Sequence, residues 1–133
     1  MTVTFSAKIH LIEGFPYGGT TSSFPVAIAL TSNEDCEVSA KIDVRELTLT
    51  EKGSTEEVFW GRLARGAIGR MDCVLYLAKG RPHWMIYDLL YTENEDAIPA
   101  GEFVLKIFLE LHLREGKSWV PVTVENQREL QIQ

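Results

Sequence analysis

Two turns of this sequence carry the same side-chain chemistry. Lys79-Gly80-Arg81-Pro82-His83-Trp84 and Arg114-Glu115-Gly116-Lys117-Ser118-Trp119 each place basic residues just ahead of a tryptophan. A guanidinium or ammonium beside an indole suits a planar, polar or anionic ligand through cation–π contact, or a protein hot spot. If successive strands alternate in direction, one end of the domain gathers the connections Glu13–Ser23, Glu51–Thr55, Lys79–Pro82 and Glu115–Lys117. The other end then gathers Asn33–Cys36, Ala64–Gly69 and Thr92–Ala100. The candidate binding residues are therefore Phe15, Tyr17, Lys79, Arg81, His83, Trp84, Arg114, Lys117 and Trp119, with Lys52 nearby. The plainer account has Trp84 and Trp119 capping the core while the charges solvate the turns.

Other reactive side chains are scattered. His10, His83 and His112 fall on three separate strands, and none is spaced from Cys36 or Cys73 as a nucleophile–base pair or a metal set would need. Asp88 shares parity with Trp84, Ile86 and Leu90 and is expected in apolar surroundings, where a carboxylate needs partners. Such an Asp more often anchors a turn than does catalysis. Gly18-Gly19-Thr20-Thr21 lacks the Lys of a phosphate loop, and no Gly-x-Ser-x-Gly elbow occurs. The acidic tips Glu34-Asp35 and Glu93–Asp96 could offer oxygens to Ca²⁺, but without EF-hand spacing they read as solvated loops. No catalytic residue, metal ligand or cofactor is assigned.

The elements that must position these residues are strands. Phe103, Leu105, Ile107, Leu109, Leu111 and Leu113 alternate with Val104, Lys106, Phe108, Glu110, His112 and Arg114, the period of a half-buried strand. Residues 2–12 alternate in the same way, and Phe24–Thr31 is a compact apolar run. From Glu37 the apolar positions are Val38, Ala40, Ile42 and Val44, then Leu47 and Leu49 on the opposite parity. That slip predicts a bulge or break near Arg45-Glu46. Val58–Leu63 reads as a short strand, and Met71–Ala78 as another that buries Cys73. His83–Tyr91, apolar on both faces, reads as a central strand, and Ser118–Glu125 as a further one. Leu130–Ile132 reads as a closing edge strand. No helix is expected.

Roughly eight or nine strands with regular turn signals predict an all-β fold, an antiparallel β-sandwich of immunoglobulin-like or jelly-roll-like type; a small closed barrel is the alternative. The Pro-x-Gly-x-aromatic lead into the long strand, Pro99-Ala-Gly-Glu-Phe103, resembles immunoglobulin-like modules over those residues alone. The Cys-Trp-Cys core of antibody domains is absent: Met71, not Tyr, stands two before Cys73.

The 133 residues fit a single domain spanning 1–133, and a 45% hydrophobic share is enough for a core. Thirteen basic and 19 acidic residues give a net charge of −6, which excludes a general affinity for nucleic acid or anionic membrane. The first residues lack a signal-peptide pattern and no apolar run approaches bilayer length, so a cytoplasmic protein with free thiols is expected. The function expected is a non-catalytic, protein-binding or adaptor sandwich, using the basic-aromatic end or an open sheet edge. The alternatives are a carbohydrate- or small-ligand-binding sandwich or barrel, an intracellular protease-inhibitor-like module and a small β-barrel enzyme. The partner expected is another protein, with self-association left open.

Overall fold

The computed structural model describes residues 2–17, 24–53, 59–60, 62–63, 70, 72–90 and 100–132. Its strands are β1 (Phe5–Leu11), β2 (Pro25–Ser32), β3 (Cys36–Ser39), β4 (Asp43–Glu51), β5 (Phe59–Trp60), β6 (Arg62–Leu63), β7 (Val74–Leu77), β8 (His83–Leu90), β9 (Gly101–Glu115) and β10 (Ser118–Ile132). All pairings are antiparallel. One sheet runs β1-β2-β8-β6; the other runs β5-β4-β9-β3-β7, with β10 also on β9. The fold is an antiparallel β-sandwich and not a closed barrel.

The long alternating strand lies at the centre of the second sheet. β10 pairs with β9 from Gly101 to Glu115 and so fills one of its two edges. The other edge is shared: β4 pairs with Phe103–Glu110 and β3 meets β9 at Leu113. Every inward side chain of β9 from Phe103 to Leu113 is buried, against Val26, Ile28 and Leu30 of β2, which are fully enclosed in the same core. The β9–β10 hairpin closes through Gly116 and Lys117. Gly116 has φ 62°, the left-handed conformation that the first central residue of such a two-residue turn requires.

The predicted slip is present. The β4–β9 register shifts between Val44 and Glu46, leaving Arg45 as the extra residue, and its guanidinium meets Glu110 at 3.1 Å.

Three expectations change. Val58–Leu63 is not one strand: its described residues form β5 in the second sheet and β6 in the first. Cys73 is exposed, because β7 begins only at Val74 and Cys73 lies in the preceding bend, its N–H donated to Arg70 O. β8 is an interior strand of the first sheet, between β2 and β6, as a strand apolar on both faces suggests. Among the described residues it pairs with β2 over residues 83–88 and with β6 at Leu89 and Leu90. The residues expected as a separate edge strand, Leu130–Ile132, continue β10.

The two sheets also meet along one side. β1–β2 pairing leaves the backbone groups of Ala7 and Ile9 facing away from β2, since Asn33 N–H bonds Thr4 O and fixes the alternation. Asn126 Nδ2 donates to Ala7 O at 2.7 Å and Arg128 Nη1 to Ile9 O at 3.0 Å. Side chains of β10 thus satisfy an edge that would otherwise be open.

Leu109 is fully buried mid-strand, so Leu109→Ala should cost about 2–5 kcal/mol through lost burial and a cavity. Glu110→Ala, which removes only the partly exposed pair with Arg45, should cost under about 1 kcal/mol. Chemical denaturation of the two variants checks this, and equal losses would refute the facing of β9.

Candidate functional site

The two basic turns do share one end of the sandwich. Lys79 N–H bonds Asp35 Oδ1 at 2.7 Å and Gly80 N–H bonds Ser32 O at 3.0 Å, which fixes the β7–β8 turn beside the Asn33–Asp35 connection. Arg114 Nη1 meets Glu37 at 3.2 Å, which fixes the β9–β10 hairpin to the start of β3 at that same end. β3 lies between them, pairing with β7 on one side and β9 on the other.

The rest of the expected cluster lies elsewhere. Tyr17 Oη accepts from Ile12 N–H at 2.7 Å and donates to Pro25 O, and its ring packs 4.8 Å from Phe15 and 4.7 Å from Phe24. Pro25 pairs with Asp88, whereas Leu30 pairs with His83. Phe15 and Tyr17 therefore stand about 17 Å along the sheet from His83, at the opposite end. Lys52 is at that far end too, bridging Glu102 and Glu129 at 3.9 and 3.4 Å. The cause is strand direction. β3 and β4 both run antiparallel to β9, so β5 and β7, antiparallel to them, run the same way as each other. Strict alternation assumed the reverse, and so put Asn33–Cys36 at the wrong end. The connections 64–69 and 92–99 lie outside the described residues.

The tryptophans part company as well. Trp119 pairs with Arg114 on the outer face of the second sheet, with the guanidinium 5.9 Å from the ring centroid. Arg114 also donates through Nε to Gly116 O at 3.3 Å, so this arginine is engaged within its own hairpin. Lys117 is exposed at the tip of that hairpin. Trp84 stands on the outer face of the first sheet, level with Ala29 and Lys8. The His10 ring reaches across β2 and meets Trp84 edge-on at 5.2 Å. Ala27 and Ala29, small and facing outward between them, leave the space for that contact. His83 has the inward parity and is half-buried at the rim of the core.

Exposed apolar side chains lie on β7 and β8, strands of different sheets. The large hydrophobic side chains that are exposed are Val74 at 44%, Tyr76 at 61%, Trp84 at 53% and Ile86 at 69% among the described residues. All belong to these two strands, and the turn joining them carries Lys79 and Arg81. Both cations are exposed, and among the described residues neither forms an ion pair. Sequence reasoning named Lys79, Arg81 and Trp84 but missed Val74, Tyr76 and Ile86. Their signal was an apolar residue at the outward parity of its strand.

The other candidates have structural duties. Asp88 Oδ1 accepts from Phe24 N–H at 2.7 Å, anchoring the start of β2. His112 is half-buried on the outer face of the second sheet, opposite Pro121. A shallow pocket of about 350 Å³ surrounds Phe108, lined by Glu46, Lys106, Glu125, Asn126 and Gln127 and by none of the expected site residues. Among the described residues no group of three or more His, Cys, Asp or Glu is placed to hold a metal ion, and no helix is long and apolar enough to cross a membrane. Comparison with protein-family models, curated proteins and solved structures finds no match.

Both cysteines are free: Cys73 is exposed, while burial, with Asp35 adding to it, pushes the half-buried Cys36 thiol up. Cys36 pairs with Leu77, four residues on from Cys73, a separation of about 13 Å and beyond disulfide reach. Because the thiolate is the nucleophile, a raised pKa delays reaction until higher pH. Iodoacetamide on the folded protein should modify Cys73 first, with Cys36 catching up as the pH is raised. Peptide mass mapping over a pH series reads the order, and a faster Cys36 at neutral pH would contradict it.

Proposed function

We propose that this chain is a non-catalytic protein-binding module that recognises its partner through the outer face of β8 and the Lys79–Arg81 turn that precedes it. The observation that carries this reading is the pair of exposed apolar side chains Trp84 and Ile86 on the outer face of β8, beside the cationic Lys79–Arg81 turn. Single exposed apolar residues are ordinary on a protein surface, but a contiguous set rimmed by charge marks interaction sites. Tryptophan and arginine are among the residues most enriched at hot spots, and this face offers both. Trp84 is held against His10, which reduces the rotamer freedom lost on docking. Two free thiols fit a reducing, cytoplasmic setting.

A photocrosslinking residue placed at Ile86 should give partner adducts in cell lysate that a residue at exposed Thr123, on the other sheet, does not. Trp84→Ala should remove those adducts, and Arg81→Glu should weaken them, while each shifts stability by less than about 0.5 kcal/mol. Adducts equal at Ile86 and Thr123, or unchanged by Trp84→Ala, would move the binding surface elsewhere.

A further inference from the structure

Three sheet edges differ in how they are finished. β1 is closed by Asn126 and Arg128, whose side chains occupy the outward carbonyls of Ala7 and Ile9. β10 carries Pro121, which lacks the N–H that a further strand would need. Among the described residues β7 has neither device. Native proteins blunt the edges on which pairing would be harmful, so an edge left bare is an edge open to pairing.

The register shows which backbone groups are on offer. Ala40 N–H bonds Cys73 O at 2.7 Å, and the same ladder pairs Val38 with Leu75 and Cys36 with Leu77. Antiparallel alternation then turns the N–H and C=O of Val74 and Tyr76 away from β3. No described strand lies on that side. The side chains of these two residues are exposed as well.

We infer that β7 pairs with β7 of a second copy of this chain, antiparallel and centred on Leu75, so that the second sheet runs on across a two-fold dimer. In this register Val74 of each copy faces Tyr76 of the other, and every outward N–H and C=O of the four residues meets a partner. Each facing pair joins a β-branched to an aromatic side chain, a favourable cross-strand combination. At the ends, Lys79 beyond one end of β7 comes beside Asp72 at the start of the other copy's strand, a carboxylate that also meets Arg70 of its own copy at 3.0 Å. A foreign strand would satisfy the backbone alone, whereas a second copy satisfies backbone and side chains by one symmetric, isologous contact. The interface is small, so the dimer is weak, with a dissociation constant on the order of 100 µM. It is independent of the surface carried by Trp84 and Ile86, which faces out from the other sheet.

Sedimentation equilibrium from about 10 µM to about 1 mM tests it, the range bracketing the constant above. The mass should rise from monomer towards dimer. Tyr76→Pro should abolish the rise with the melting temperature retained, since the lost N–H lies on the free edge and the ladder to β3 stays whole. Should that variant unfold, Val74→Lys and hydrogen exchange of the wild type serve instead. The lysine should lower the association at least tenfold, and the Val74 and Tyr76 amides should exchange at least tenfold more slowly at high concentration. Trp84→Ala should leave the association unchanged. A monomer at every concentration, an association indifferent to folded Tyr76→Pro or to Val74→Lys, or one lost with Trp84→Ala, would overturn the inference. Protection of Val74 and Tyr76 only on addition of another protein would assign the edge to a foreign strand, and would overturn it too.

Discussion

Removing the inner stripe of β9 from water is the constraint to which the rest of the sandwich answers. From Phe103 to Leu113 this one strand presents a continuous apolar ridge, and each large side chain fully buried is worth about 1.5–3 kcal/mol. No single sheet can enclose such a ridge. The first sheet supplies the opposing surface with β2 at its middle, and its inward Val26, Ile28 and Leu30 are fully enclosed. The length of β9 explains the irregular make-up of its own sheet. One neighbour, β10, matches it residue for residue, while the other side needs β4 and β3 in succession, with the bulge at Arg45 absorbing the misfit.

Much of this was legible from period-two patterning. β1, β2 and β9 were plain, and the parity change between Val44 and Leu47 placed a bulge or break near Arg45-Glu46, where the register shifts. What patterning hid has a physical cause in each case. Glu125-Asn-Gln-Arg-Glu129 is polar at both parities and so does not read as strand, yet β10 runs straight through it. Asn126 and Arg128 take the inward parity because they are needed to saturate the carbonyls of β1, a demand set by a strand far away in sequence. Cys73 follows the rhythm of Leu75 and Leu77 but precedes the strand, where the bend at Arg70–Cys73 cancels the rhythm.

The site was legible only in part, for a reason of the same kind. Alternation says whether a side chain faces in or out, but not which sheet it faces out from. Trp84 and Trp119 both point outward at one end of the domain, on opposite outer faces. Phe15 and Tyr17 were misplaced because strand direction, unlike strand facing, is set by pairing: β7 follows β5 and β6 without reversing. The apolar outward positions on β7 and β8 were visible in the sequence. Only the sheet topology shows that nothing described covers them.

The stitching of β1 by Asn126 and Arg128 has a consequence for how the protein comes into being. Each of these bonds spans 119 residues. On the ribosome, β1 and β2 emerge early and can pair at once, but the outer carbonyls of Ala7 and Ile9 must wait for almost all the remaining chain. For that whole interval the nascent hairpin shows a bare strand edge to its surroundings. Contacts so distant in sequence also slow folding, because the intervening chain must be ordered before they form. The same side chains that close the β1 edge of the finished sandwich therefore leave the β1–β2 hairpin in need of protection while the chain is made, and newborn chains meet chaperones in just that window.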